Sequence, residues 1–414
     1  MEANYITSDD VRYQLSNLKQ LTFEVTDVCN LNCKYCAYGE WYNDYDRREN
    51  KKMRLDTAIL LIDYLASFWE SSQNMSANRY VYISFYGGEP LLNMPFIESV
   101  VGYLEKKRFR CRSFIYNLTT NGLALQRYMD YLAEHQFDLL ISLDGNEYNT
   151  SYRVTKQGTP AFHEILKNVD ALRVAYPDYF EAKVNFNAVL HNRNSIEEIY
   201  NFFKSRYNKI PIIGELNNMG IRPDKIDTFR ESYRNKNESM RQAENYEAIE
   251  QDMFIRSATV QSVSNFLYQY SGHVYHDYVD LLLGRREKRV PTGTCLPFGK
   301  KMFVTVNGKI LPCERIGQQY AYGSVSESDV RLDFQAIADI YNGYLAKIDK
   351  QCEKCCNFQA CVQCIFNLRD LDGNPVCHGF MNEQIFARYK ARQMDFLRKH
   401  PDVYHRIMEE VIVE

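Results

Sequence analysis

Three cysteines at three- and two-residue separations, Cys29-Asn30-Leu31-Asn32-Cys33-Lys34-Tyr35-Cys36, constrain this chain more than any other stretch. Three thiolates in one tight loop hold three corners of an iron–sulfur cube and leave the fourth iron without a protein ligand. The run before them, Leu21-Thr22-Phe23-Glu24-Val25-Thr26, reads as a short buried strand. The cysteines would then lie on the loop leaving the strand's C-terminal end, where α/β folds place their chemistry. Thiolate spacing alone does not tell iron from zinc, so a zinc loop or three buried thiols is the bland alternative.

The chain downstream alternates. Helical spacing over Leu55 to Trp69 is followed by the β-rich run Tyr80 to Tyr86, which ends in Gly87-Gly88-Glu89-Pro90. A strand stopping at two glycines lets a ligand approach the backbone, and a carboxylate there can receive an ammonium group. Further helices are expected at Phe96–Lys107, Leu125–Glu134, Phe162–Val174 and Ile196–Phe203. Strands are expected at Phe114–Thr119, Asp138–Leu143, Ala182–Leu190 and Ile210–Leu216. Strands separated by helices in this way predict right-handed βαβ units and a parallel sheet.

An aromatic residue, Tyr35, stands directly before the third cysteine, and with Gly-Gly-Glu-Pro behind it the pattern resembles the radical S-adenosylmethionine (SAM) enzymes. That resemblance implies an α/β fold, a (β/α)6 partial TIM barrel with a lateral opening. It implies a 4Fe–4S cluster on Cys29, Cys33 and Cys36 whose open iron chelates SAM, with cleavage to a 5′-deoxyadenosyl radical that abstracts hydrogen from substrate. Tyr35, Gly87, Gly88 and Glu89 would contact SAM, the last three around its amino group. Asn121 in Thr120-Asn121-Gly122, Ser142 and Asp144 in Ser142-Leu143-Asp144-Gly145, and Arg153 resemble positions that contact its ribose and carboxylate. Ordinary Asn-Gly and Asp-Gly turn chemistry is the plainer alternative for those segments.

The C-terminal part is rich in cysteine. Phe303 to Val306 and Lys309 to Leu311 flank Asn307-Gly308, a signal for a hairpin with a type I′ turn that holds Cys313 just past its returning strand. Cys352, Cys355, Cys356, Cys361, Cys364 and Cys377 follow. Paired CxxC loops alone would read as a zinc knuckle. With Cys295 and the late Cys377 the pattern resembles the SPASM domain of peptide-modifying radical SAM enzymes, departing from it in two places. Only two residues separate Cys361 from Cys364, where the family pattern has three, and the cysteine expected shortly before Cys295 is absent. The resemblance implies two auxiliary 4Fe–4S clusters, making three in all: one on Cys352, Cys355, Cys361 and Cys377, the other on Cys295, Cys313 and Cys364. With three thiolates the latter keeps one iron open to a substrate thiol, unless Cys356 fills it; Cys111 is left over.

The domain organisation read from this is a barrel over residues 1–220, a charged, tyrosine-rich helical connection over 221–290, and a SPASM module with a C-terminal helix over 291–414. Nothing in the connection has catalytic spacing, and His273 and His276 read as structural. Fifty basic against 53 acidic residues leave no basic stretch that argues for nucleic acid. No signal segment or membrane-spanning run is present, so the expectation is a cytoplasmic protein, where twelve cysteines serve metal better than disulfides. The function implied is modification of a ribosomally made precursor peptide by thioether or carbon–carbon crosslinking, with a flavodoxin or ferredoxin as reductant. Gly293 to Phe298 and Lys300 to Phe303 resemble peptide maturases of Bacteroidales-type bacteria. About twenty residues precede the first strand, too few for the leader-binding domain of related maturases, so leader recognition would fall to the barrel opening, the connection or a separate protein. The alternatives are an anaerobic sulfatase-maturing, formylglycine-forming enzyme and a non-catalytic zinc-binding scaffold.

Overall fold

A computed structural model describes residues 5–75, 80–107, 109, 113–270, 282 and 290–410. Cys111, His273 and His276 lie outside the described residues. Compactness divides the chain into two units, Ser8–Tyr246 with Pro297–Ile337, and Met1–Thr7 with Glu247–Leu296 and Ala338–Glu414.

In the first unit six parallel strands stand in chain order: β1 (Gln20–Thr26), β2 (Tyr80–Gly87), β3 (Ser113–Thr120), β4 (Asp138–Ser142), β5 (Val184–Leu190) and β6 (Ile212–Glu215). Helices connect them, as the alternation predicts; Leu55–Trp69 and Leu125–Glu134 have the expected bounds. Leu61, Leu65 and Trp69 recur every four residues on one helix face and are fully buried, the spacing that turns a helix into a core element. Expected strand starts move at β6, which begins at Ile212 rather than Ile210, and at β5. Ala182 and Lys183 belong to a helix, Pro177–Lys183, rather than to β5. Pro177 sits at the first helical position, Tyr179 and Phe180 are buried, and the strand begins only at the β-branched Val184.

Alternation within the strands separates the two faces of the sheet. Val184, Phe186, Ala188 and Leu190 are buried, while Asn185 lies on the opposite face. Thr22, Ser84, Asn117 and Asp138 are paired in register across four strands and line a cavity of about 480 Å³. A partial barrel keeps a polar interior of this kind when a ligand or water, rather than apolar packing, fills it.

A half-open barrel leaves strand edges to cover, and here β1 is not an edge. The predicted hairpin, β7 (Met302–Val304) and β8 (Lys309–Leu311), lays β7 parallel against β1, and β9 (Gly323–Val325) and β10 (Val330–Arg331) extend the sheet to ten strands. Its turn is not type I′. Asn307 keeps a negative φ, only Gly308 is left-handed (φ 77°), and the Gly308 amide donates to the Thr305 carbonyl at 2.8 Å. That is a type I turn closed by a left-handed glycine. The buried Glu24 explains it, since its carboxylate accepts from the Val306 amide at 2.8 Å and holds that amide inward. A Cβ on Gly308 would also stand 2.1 Å from the Val325 carbonyl oxygen.

In the second unit, Phe254, Val260, Val263, Phe266, Leu267 and Ile407 form one apolar cluster, against which Tyr389 and Phe396 of helix Glu383–Lys399 pack. Among the described residues no helix is long and apolar enough to cross a membrane.

Candidate active site

The cysteine loop leaves the C-terminal end of β1 and is pinned from two sides. The Asn32 and Lys34 amides donate to the carbonyls of Val154 and Tyr152, at 2.7 and 3.2 Å. Tyr35, Trp41, Tyr42 and Tyr152 form a buried aromatic cluster, with Cys33 packed against it. The Cys36 amide donates to the Cys33 carbonyl and the Gly39 amide to the Cys36 carbonyl, consecutive turns that shape the loop after Cys33. Burial pushes the Cys29 thiol up and the Cys33 thiol up to about 12, and each is near enough to another of the three to feel its charge. Sulfurs kept from water this way suit iron, which replaces their protons. Hydrogen bonds already reach two of them: the Leu31 amide donates to Cys29 Sγ at 3.4 Å and Arg48 Nη2 to Cys36 Sγ at 3.4 Å. Arg48 Nε and Asp27 Oδ1 are buried polar atoms beside this loop without partners in the protein.

Gly87 and Gly88 have a nearer reason than a ligand for lacking side chains. A Cβ on Gly87 would stand 2.3 Å from the Thr26 carbonyl oxygen, and one on Gly88 2.2 Å from that of Val28. Both glycines therefore press β2 against the root of the cysteine loop, where the Glu89 amide also donates to the Val28 carbonyl at 2.8 Å. The Glu89 carboxylate is buried and accepts from the Leu91 amide (3.2 Å), Thr120 Oγ1 (2.6 Å) and the Asn121 amide (2.7 Å). Asn121 in turn points Nδ2 at Asn30 Oδ1 (2.7 Å) and Cys29 Sγ (3.7 Å). Glu89, Thr120, Asn121 and Cys29 are thus one connected group.

Burial lifts the Glu89 carboxyl to about 7, against the pull of those donors. Its folded value lies above the ordinary 4.5, so the folded protein keeps a proton that the unfolded chain releases. Apo-protein stability should therefore fall by up to ~3 kcal/mol as pH rises from about 4.5 to 7. In Glu89→Gln that slope should be lost; chemical denaturation at pH 5 and 8 reads it directly. A bound ammonium group would supply the charge that makes ionised Glu89 favourable.

Asp144 and Arg153 lie together in the interior. Arg153 donates Nε and Nη2 to the two Asp144 oxygens at 3.0 and 2.9 Å, the Val189 amide adds a bond to Oδ1 at 2.9 Å, and the Tyr35 hydroxyl donates to Oδ2. His191 Nε2 lies 3.8 Å from Oδ2, and its ring packs against Tyr35 and Tyr152. Burial alone would push Asp144 up, but Arg153 and His191 bring it down to about 2. Both oxygens are taken by protein donors, so this geometry makes the pair a brace for Tyr35 and the cysteine loop. Ser142 stands half-buried at the end of β4, in register with Asn187 and outside that brace.

Two groups escaped the sequence reading. Lys301 Nζ lies 3.1 Å from Glu314, and both line the barrel cavity next to Cys313, whose thiol donates to Glu314 Oε2 at 3.7 Å. Burial would raise Glu314, and Lys301 holds it below the usual carboxylate range. Arg48 is the other; both lie in polar segments whose partners are remote in sequence.

In the second unit, Cys352 ends the helix Phe334–Cys352, and Cys355, Cys361 and Cys377 line one cavity with it. Burial lifts the Cys352 thiol to about 12, and the other three thiols all bear on it. The Cys377 amide donates to Gln351 Oε1 at 3.3 Å, and Gly293 packs so tightly that a Cβ would stand 1.8 Å from the Cys361 carbonyl oxygen. Four thiols lining one cavity are the donor set that a 4Fe–4S cluster takes. Cys295 and Cys364 also belong to this unit. Burial pushes Cys364 up to about 11, with Cys295 adding to it, and the Ile365 amide donates to Thr294 Oγ1 at 2.8 Å. Cys356, whose amide donates to the Met381 carbonyl, is not among the residues lining the four-cysteine cavity. Cys313 lies in the first unit, just past β8.

Comparison with known proteins gives this geometry a family. Residues 23–205 match the family model described as Radical SAM superfamily. These residues are a radical SAM domain. Such a domain implies SAM and a 4Fe–4S cluster, and the donor set of Cys29, Cys33 and Cys36 fits one. Over 46% of its length the chain is 26% identical to the cysteine-type anaerobic sulfatase-maturating enzyme of Clostridium novyi, covering 49% of that protein. It is 29% identical to the radical SAM cyclopropyl synthase TigE of Paramaledivibacter caminithermalis, over 38% of this chain and 33% of that one. The chain thus spans half or less of the length of these relatives. The solved structure of native anSMEcpe with bound AdoMet covers 95% of this chain and 100% of its own at a TM-score of 0.58 and 16% identity. The likeness in fold to that structure therefore extends over nearly the whole chain.

Proposed function

We propose that this chain is a radical SAM maturase that modifies a ribosomally made precursor peptide, forming a thioether or carbon–carbon crosslink after hydrogen abstraction. The observation that carries the reading is the pairing of the β1 cysteine loop with the cavity where Cys352, Cys355, Cys361 and Cys377 meet. A redox module added to a radical domain suits a reaction that leaves an electron on its product. A likeness in fold supports a large substrate, since anSMEcpe holds both AdoMet and the Kp18Cys peptide. When bound, the cluster and SAM supply a 5′-deoxyadenosyl radical. The chain's own residues do the rest. Asn121 and Arg48, which donate to the sulfurs of Cys29 and Cys36, would also do so with a cluster in place; Glu89 would receive the ammonium group of SAM, Ser142 would serve its ribose, and the Asp144–Arg153 brace holds Tyr35 and the loop still.

The proposal names Glu314 as the proton acceptor of this reaction. It lines the barrel cavity and is held ionised by Lys301, the state a base needs. Glu314→Gln should cut product formation by ~100-fold or more while cleavage of SAM continues, which parallel assays of 5′-deoxyadenosine and modified peptide would show.

Three 4Fe–4S clusters, a flavodoxin- or ferredoxin-class electron donor and a separate leader-binding protein complete the proposal. The proposal includes a cytoplasmic location, where such a donor and a ribosomally made precursor would be met. A second reading has equal support: the similarity to a sulfatase-maturating enzyme argues for oxidation of cysteine or serine to formylglycine. Co-expression with a short precursor and, separately, with a sulfatase, followed by peptide mass analysis, decides between them. A modified precursor with an unmodified sulfatase supports the first reading, and the reverse supports the second.

A further inference from the structure

We infer that Arg48 sets the reduction potential of the cluster on Cys29, Cys33 and Cys36, acting as a charged hydrogen-bond donor to it. The inference rests on that cluster assignment and on three observations about Arg48.

The guanidinium is fixed in place. It lies 4.7 Å over the Tyr38 ring, and the Tyr38 hydroxyl is in turn hydrogen-bonded to the buried Glu24, which holds the Val306 amide. A cation stacked on an anchored ring keeps its direction. From there Nη2 donates to Cys36 Sγ at 3.4 Å, and the charge also reaches Cys29.

Its charge is left over. Arg153, the other guanidinium near these cysteines, is matched by both oxygens of Asp144. Among the described residues no carboxylate lies within ion-pair distance of Arg48, and burial pushes the nearby Glu24 up, toward its neutral form.

One donor has no acceptor. Arg48 Nε is buried without a partner, an arrangement that is destabilising unless an acceptor meets it. An iron–sulfur cube seated on the three thiols brings anionic sulfides, the acceptors this nitrogen lacks.

Adding one electron to the cluster makes it more negative by one charge, with no proton taken up. A fixed cation and N–H···S bonds favour that reduced form, so Arg48 raises the potential and eases reduction by the electron donor. The neutral donors to Cys29, from Asn121 and the Leu31 amide, lack this net charge.

The test is potentiometric titration of the full-length protein, loaded anaerobically with iron and sulfide and read by electron paramagnetic resonance. The radical cluster is identified as the signal that changes when SAM is added. In Arg48→Gln the reduced-to-oxidised ratio of that signal, at the potential that half-reduces the native protein, should fall about tenfold, a shift of ~59 mV for a one-electron couple. Arg48→Lys should lie between, and the SAM-insensitive signals should not move. An unmoved midpoint in an iron-replete Arg48→Gln protein overturns the inference. Loss of the cluster in Arg48→Gln, with Arg48→Lys loaded at the native potential, overturns it too, by making Arg48 an assembly residue. If the native protein shows no SAM-sensitive signal, the cluster assignment itself fails and the inference with it.

Discussion

Cys36→Ala protein forms no 5′-deoxyadenosine above background from SAM under strong reductant, while iron persists at the C-terminal cysteines. Three thiolates are the minimum that leaves an iron open and still retains the cube, and the loop offers no substitute. Its other side chains are engaged elsewhere: the Tyr35 hydroxyl on Asp144, and Asn30 on Asn121. Cys29→Ala and Cys33→Ala should behave alike. Iron and acid-labile sulfide measured beside 5′-deoxyadenosine keep loss of the site apart from loss of the fold. Cleavage of SAM by the Cys36→Ala protein would show that the reactive iron is held elsewhere.

Asp144→Asn should destabilise the protein by ~3–5 kcal/mol, because it leaves the Arg153 guanidinium buried without its counter-charge. Both side chains are almost fully buried, with 0% and 7% exposure, so water does not screen the loss. The sign with pH follows from the depressed Asp144 value. The contribution is whole above the ordinary carboxylate range and is lost only as pH falls toward about 2. Denaturant unfolding of Asp144→Asn, Arg153→Met and the double variant measures it. The double variant should be more stable than Asp144→Asn, since removing both charges removes the unpaired one. A double variant as unstable as the sum of the single ones would mean that the pair is not coupled.

The parts of this molecule that were legible in its sequence are those set by local pattern. Helix Leu55–Trp69 declares itself by apolar residues at helical spacing, and β2 to β4 by β-rich runs ending in polar turns. The cysteine loop and Gly87-Gly88-Glu89 are each a short stretch that carries its own chemistry. What could not be read depends on pairing across the chain. Nothing near Met302 says that β7 will lie on β1, some 280 residues earlier. The turn at Asn307-Gly308 departs from its local signal because Glu24, in β1, claims the Val306 amide. The close approach of Gly87 and Gly88 to the carbonyls of Thr26 and Val28 is likewise set by packing across the chain. That Asp144 and Arg153, both expected at SAM, also bond each other is a pairing of side chains nine residues apart that neither local segment announces. Glu24 offered the one available hint, a carboxylate inside a strand that is buried from Leu21 to Thr26.

The central claim, that a radical made at the β1 loop takes hydrogen from a peptide, is tested most directly by following that hydrogen. The reduced protein would be given SAM and a precursor peptide, encoded by a short reading frame beside its gene and made with deuterated amino acids. The mass of the 5′-deoxyadenosine is then measured. The account predicts deuterium in 5′-deoxyadenosine in step with modification of the peptide; 5′-deoxyadenosine that stays unlabelled while the peptide is modified would contradict it.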